Sequence, residues 1–110
     1  MNNLENIDWF KLKAQFGNPL LLQHWLGDYL NGAEQELSLL KQAQQQQRCS
    51  AGLLMQLQGL ASLLCSPSLT HCVKQLKHSQ APADDLQACI TSYQGITAEV
   101  TEYLRAHSVD

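Results

Sequence analysis

The chain has 110 residues, 45% hydrophobic and only 15% charged, a composition that excludes a disordered chain and leaves room for one domain (1-110) with one modest core. Its formal net charge of -3, with scattered Lys and Arg, provides no basic stripe and argues against a nucleic-acid partner. No apolar run approaches the ~20 residues needed to span a bilayer, and the start MNNLENIDWF lacks the layout of a signal peptide, so a cytoplasmic chain without a membrane partner is expected.

Beta-branched residues are few and Leu, Gln, Ala and Glu dominate, which predicts helices throughout. Asn6 or Asp8 can cap a short first helix running to about Gln15. The FGNP stretch at 16 to 19 stops it and starts the next, with Asn18 as cap and Pro19 in the first helical position. Leu22, Leu26, Leu30, Leu37 and Leu40 then keep helical spacing through a long second helix, locally weakened by Gly27 and Gly32. The glutamine-rich 42 to 47 reads as a frayed helix end and connection. LLMQLQGLASLL at 53 to 64 is the body of a third helix. Ser66-Pro67 ends it and opens a fourth, which runs to about His78. Pro82 with Asp84 or Asp85 starts a fifth, on which Leu86, Ile90, Tyr93, Thr97, Val100 and Leu104 mark one apolar face. Short connections favour antiparallel neighbours, so the expected fold is all-α: an antiparallel up-down four-helix bundle with a short N-terminal helix covering one end.

Residues that could carry chemistry do not converge in this pattern. Cys49, Cys65, Cys72 and Cys89 are spaced for neither a stapled fold nor a zinc site and read as buried or half-buried thiols. His24, His71, His78 and His107 are spread over three helices and a tail, without the i, i+3 or i, i+4 spacing of a metal pair. His71 beside Cys72 is no ligand pair, because neighbours on a helix diverge by about 100°. No enzyme activity, metal or cofactor is expected.

The third helix is the informative one. At about 100° per residue, Leu53, Leu57, Leu60 and Leu64 share one arc with Leu54 and Ala61 beside them, while Met55, Gln58, Gly59 and Ser62 gather opposite. Glycine inside a helix costs roughly 1 kcal/mol relative to alanine. Because Gly59 falls on the outer arc, its own core does not explain it, and close approach by another molecule does. Met55, beside Gln56, adds a flexible, polarizable side chain of the sort adaptable binding faces use.

These residues resemble the histidine-containing phosphotransfer (HPt) domains that relay phosphoryl groups between receiver domains in bacterial phosphorelays. The family's third segment reads approximately H-x-L-K-G-[SA], followed by a small or apolar stretch and further Leu and Cys positions. In MQLQGLASLLCSPSLTHCVKQLK, Leu57, Gly59, Leu60 and Ala61 match it, as do Leu69, Cys72 and Leu76. IDWFKLKAQFGNPLLLQHWLGDYL resembles the family's opening, its FG-D/N-P junction and its second helix, so the likeness covers nearly the whole chain.

The departures fall on the chemistry. The position of the phosphorylated histidine holds Met55, and that of the lysine three residues later holds Gln58. A thioether has no nitrogen to accept a phosphoryl group, and glutamine removes a cation that would favour a phosphate-bearing partner. The resemblance therefore implies a pseudo-HPt interaction module that docks a response-regulator receiver domain, or serves a hybrid sensor kinase, through Met55, Gln56, Gln58, Gly59 and Ser62. Two other readings stay open: phosphotransfer through a displaced histidine, His71 or His78, and a helical scaffold with no receiver partner. The sequence names neither the individual partner nor an oligomeric state.

Overall fold

A computed structural model describes residues 6–107, and within them every regular element is a helix; no strand occurs among the described residues. The five helices are α1 (Trp9–Phe16), α2 (Pro19–Gln46), α3 (Ala51–Leu63), α4 (Pro67–Lys77) and α5 (Pro82–Ala106). The all-α expectation holds.

Local chemistry sets the helix ends. Asp8 caps α1 by accepting from the Lys11 N–H at 3.1 Å, and α1 stops at Gly17, whose φ of 66° is the left-handed turn that glycine adopts without steric cost. The Asn18 side chain accepts from the N–H groups of Leu20 and Leu21, with Pro19 opening α2. Ser50 and Ser66 cap α3 and α4 through bonds from Leu53 and Leu69, both 3.1 Å. Only α5 lacks a side-chain cap; Pro82 and the first-turn carboxylates Asp84 and Asp85 suit its positive N-terminus instead. The glutamine stretch corrects one expectation: 42 to 46 are regular helix, not a frayed end, and α2 closes on Gln47 with φ 57°.

The long axis of 45 Å matches the ~42 Å that a 28-residue helix spans, so α2 sets the molecule's length. Helix α5 lies along it in the opposite sense, since Gln44, Glu36 and Tyr29 bond in turn to Gln87, Tyr93 and Thr97. Helix α4 packs on α5, α3 packs on α4, and α1 packs on α2. Between them lies a core that includes Leu12, Leu22, Leu26, Leu57, Leu69 and Ile96. Leu57, Leu64, Tyr93 and Val100 are buried as expected. Leu60 is not: it is half-buried, because it faces a groove between α3 and α2 rather than the centre. Thr97 and Leu104 are also only half-buried, and Ile96, which the spacing argument passed over, is fully enclosed.

The segment before α1 is tied down far along the chain. The Glu99 carboxylate accepts from the backbone N–H groups of Asn6 and Ile7 and from Asn6 Nδ2, while Asn6 Oδ1 accepts from Ser68 Oγ, itself 2.7 Å from Ser92 Oγ. Gly95 makes room for this knot, because a Cβ there would collide with the Asn6 amide. Among the described residues no helix is long and apolar enough to cross a membrane.

Candidate functional site

Leu57 and Ala61 anchor α3 to the core, and this fixes what its other face presents. Met55, Gly59 and Ser62, at i, i+4 and i+7, form one exposed outer stripe. Met55 is 70% exposed, and a Cβ built on Gly59 would meet nothing within 4 Å. The roughly 1 kcal/mol that glycine costs a helix is therefore offset by no contact with the described residues beyond its own helix.

The remaining two residues of the expected face diverge from this stripe. Gln56, though exposed, turns toward α2 and donates through Nε2 to Glu36 Oε2. Gln58 corrects the helical-wheel reading: it is half-buried and turned toward α4, where it lines a shallow depression with Ser62, Thr70, Val73 and Lys74. A wheel drawn for an isolated helix does not register that α4 rises beside it. The side chain of Lys74 thus brings a cation next to the uncharged Gln58, from a different helix.

On its other flank the stripe borders a groove of about 450 Å³ between α3 and α2. Trp25, Tyr29, Gly32, Glu36 and Leu39 line its α2 wall, and Gln56 and Leu60 its α3 wall. Sequence reasoning missed this wall. Its signal is a second stripe on α2, at 25, 29, 32, 36 and 39, which runs beside the core stripe of leucines and has the same 3.6-residue period.

Glu36 joins three helices, since it also accepts from the Tyr93 hydroxyl at 2.7 Å. Burial, followed by the bond to Glu36, pushes the Tyr93 phenol above its ordinary range, and burial raises that of Tyr29. Both rings stay neutral; Tyr29 lines the groove, and Tyr93 is buried behind it.

The histidines lie elsewhere. His24 and Asp28 form an exposed pair at 3.7 Å on α2, and the His107 ring stacks on Tyr103 at the end of α5. His71 is exposed on α4 and His78 follows its last turn; neither lines the groove or the depression beside α3. They occupy two helices and two helix ends rather than three helices and a tail. The cysteines are all free, with Cys49, Cys65 and Cys72 half-buried and Cys89 buried, as the spacing suggested. Burial raises the Cys49, Cys72 and Cys89 thiols, Cys89 up to about 12, which makes these three poor nucleophiles.

Comparison of the chain with protein-family models, curated proteins and solved structures finds no match.

Proposed function

We propose that α2 to α5 form an antiparallel up-down four-helix bundle with α1 covering one end, and that the chain is a pseudo-HPt interaction module. It docks a response-regulator receiver domain, or a two-component kinase carrying one, without accepting phosphate, and it works in the cytoplasm. One observation carries this reading: an exposed thioether, Met55, shares an open helical stripe with a glycine one turn along that no contact among the described residues requires. The resemblance in sequence assigns the phosphorylated imidazole to that same position.

The chemistry follows from the side chains. Phosphoryl transfer to a protein needs a nucleophilic nitrogen or oxygen on the acceptor face. The stripe offers a thioether, a bare backbone and the hydroxyl of Ser62, which is a weak nucleophile at its free pKa. Docking needs only shape and apolar contact, which Met55 and the open backbone at Gly59 supply.

Incubation with phosphorylated receiver domains, with binding and label transfer recorded on the same samples, tests the reading. Saturable binding without transfer is expected. Acid-labile, base-stable label on the chain overturns it in favour of a displaced histidine, and no binding to any receiver overturns it in favour of a scaffold.

A further inference from the structure

We propose that the groove between α2 and α3 binds the guanidinium group of an arginine presented by the docked partner protein. The partner's presence on the adjacent stripe rests on the reading given above; the chemistry of the groove does not.

Two aromatic rings form one wall, and both are braced from behind. Trp25 lies against Phe16 with ring centroids 5.5 Å apart. Tyr29 lies against Tyr93 at 5.8 Å, and its hydroxyl is 3.1 Å from Thr97 Oγ1. Rings held in this way offer their faces without first losing conformational freedom, which favours stacking by a flat cation.

Two carboxylates lie at intervals along the same wall. Glu36 gives two acceptor sites to Tyr93 and Gln56, and a carboxylate has about four. The Asp28 side chain is 67% exposed and lies 3.7 Å from the exposed His24. No lysine or arginine lines the groove, so its negative charge is unanswered from within. An anion is repelled here, and an apolar segment would cover Glu36 without pairing it.

Gly32 opens the centre of this wall. It is exposed in the interior of the longest helix, and a Cβ there would meet nothing within 4 Å, so no internal contact demands a glycine. A side chain at that point would fill the groove between the two rings and the two carboxylates. A guanidinium fits the set better than an ammonium: it is planar, weakly hydrated, stacks on aromatic faces and meets a carboxylate through two N–H groups. The occupant comes from a protein docked on α3, because Gln56 and Leu60 of the groove are sequence neighbours of Met55 and Gly59 on the same helix.

The probe is the blocked peptide N-acetyl-Gly-Arg-Gly-amide, titrated into the full chain labelled with nitrogen-15, with the neutral citrulline analogue as control. Saturable shifts of the Trp25 indole N–H and the Gly32 amide are expected with arginine, at least about tenfold weaker with citrulline. Asp28→Asn should weaken the arginine titration by about tenfold, and Gly32→Leu should abolish it, both with unchanged helix content. Equal titration by citrulline, shifts confined to other surfaces, or indifference to Gly32→Leu overturns the site. The peptide needs no receiver, so failed arginine binding beside intact receiver binding refutes this inference alone. Arginine binding without receiver binding supports the groove and refutes the docking reading. A receiver whose affinity ignores Gly32→Leu overturns the partner as the source of the arginine.

Discussion

The Tyr93 hydroxyl on α5 donates a 2.7 Å hydrogen bond to Glu36 Oε1 on α2. The Tyr93 ring is buried, so its one polar atom needs a partner, and Glu36 supplies it while also holding Gln56 of α3. Tyr93→Phe leaves the ring in place and should cost about 1 kcal/mol, because Glu36 keeps Gln56. Tyr93→Ala removes the ring as well and should cost about 3–5 kcal/mol. Urea unfolding midpoints separate the two.

Alkaline pH should act through the same buried groups. The Cys89 thiol is raised from 9.0 to about 12 by burial first and then by neighbouring sulfurs, and the Tyr93 phenol is raised as well. A raised folded-state value means that the unfolded chain releases its proton first as pH climbs. Stability from Cys89 is therefore complete below pH 9.0 and is lost between 9.0 and about 12. Urea midpoints measured across that interval should fall, and Cys89→Ala should flatten the fall while lowering stability at neutral pH.

Asn6 and Gly95 should couple strongly although they are far apart in the chain. Gly95→Ala brings a methyl group into the Asn6 amide, displacing it from Glu99 and Ser68, so the helix-propensity gain of roughly 1 kcal/mol should be outweighed. In an Asn6→Ala background the obstacle is gone, and Gly95→Ala should then stabilise by roughly 1 kcal/mol. A double-mutant cycle that comes out additive would show that the knot is not formed.

Gly59→Arg should separate binding from stability. The side chain enters open space, so stability should rise by roughly 0.8 kcal/mol as glycine's backbone entropy cost is removed. A long cation on the stripe blocks close approach, and receiver binding should be lost. Lower thermal stability would mean that the glycine is packed, and unchanged affinity would mean that the docking surface lies elsewhere.

Met55→His alone should accept phosphate weakly from a phosphorylated receiver, and Met55→His/Gln58→Lys better, because the second change restores a cation for the incoming phosphate. Lys74, beside Gln58, should already supply part of that charge, so adding Lys74→Gln to the single variant should reduce label further. Folded variants that take no label would show that the face has diverged beyond these positions.

The helix ends were legible because they are local: Asp8, Asn18, Pro19, Ser66 and Pro67 act within a few residues of themselves. The outer stripe of Met55, Gly59 and Ser62 was legible for the same reason. What escaped was everything decided by which helices become neighbours. Leu60 has the spacing of a core residue but faces Gly32's open groove, and Gln58 has the spacing of a surface residue but meets α4. The second α2 stripe is written in mixed chemistry, Trp, Tyr, Gly, Glu and Leu, so a search for uniformly apolar faces passes over it.

The bonds joining α2 to α5 link residues separated by 39, 43, 57 and 68 positions, and they run along the two longest helices, which are antiparallel. During synthesis, the face of α2 that packs on α5 therefore emerges uncovered and stays so until α5 is made. Closing so wide a loop is entropically costly and slows the search for the native pairing. Ribosome-bound chains halted before Ile96 and Val100 have left the exit tunnel should be open to protease along α2, and the first length at which α2 becomes protected marks the moment at which the domain folds.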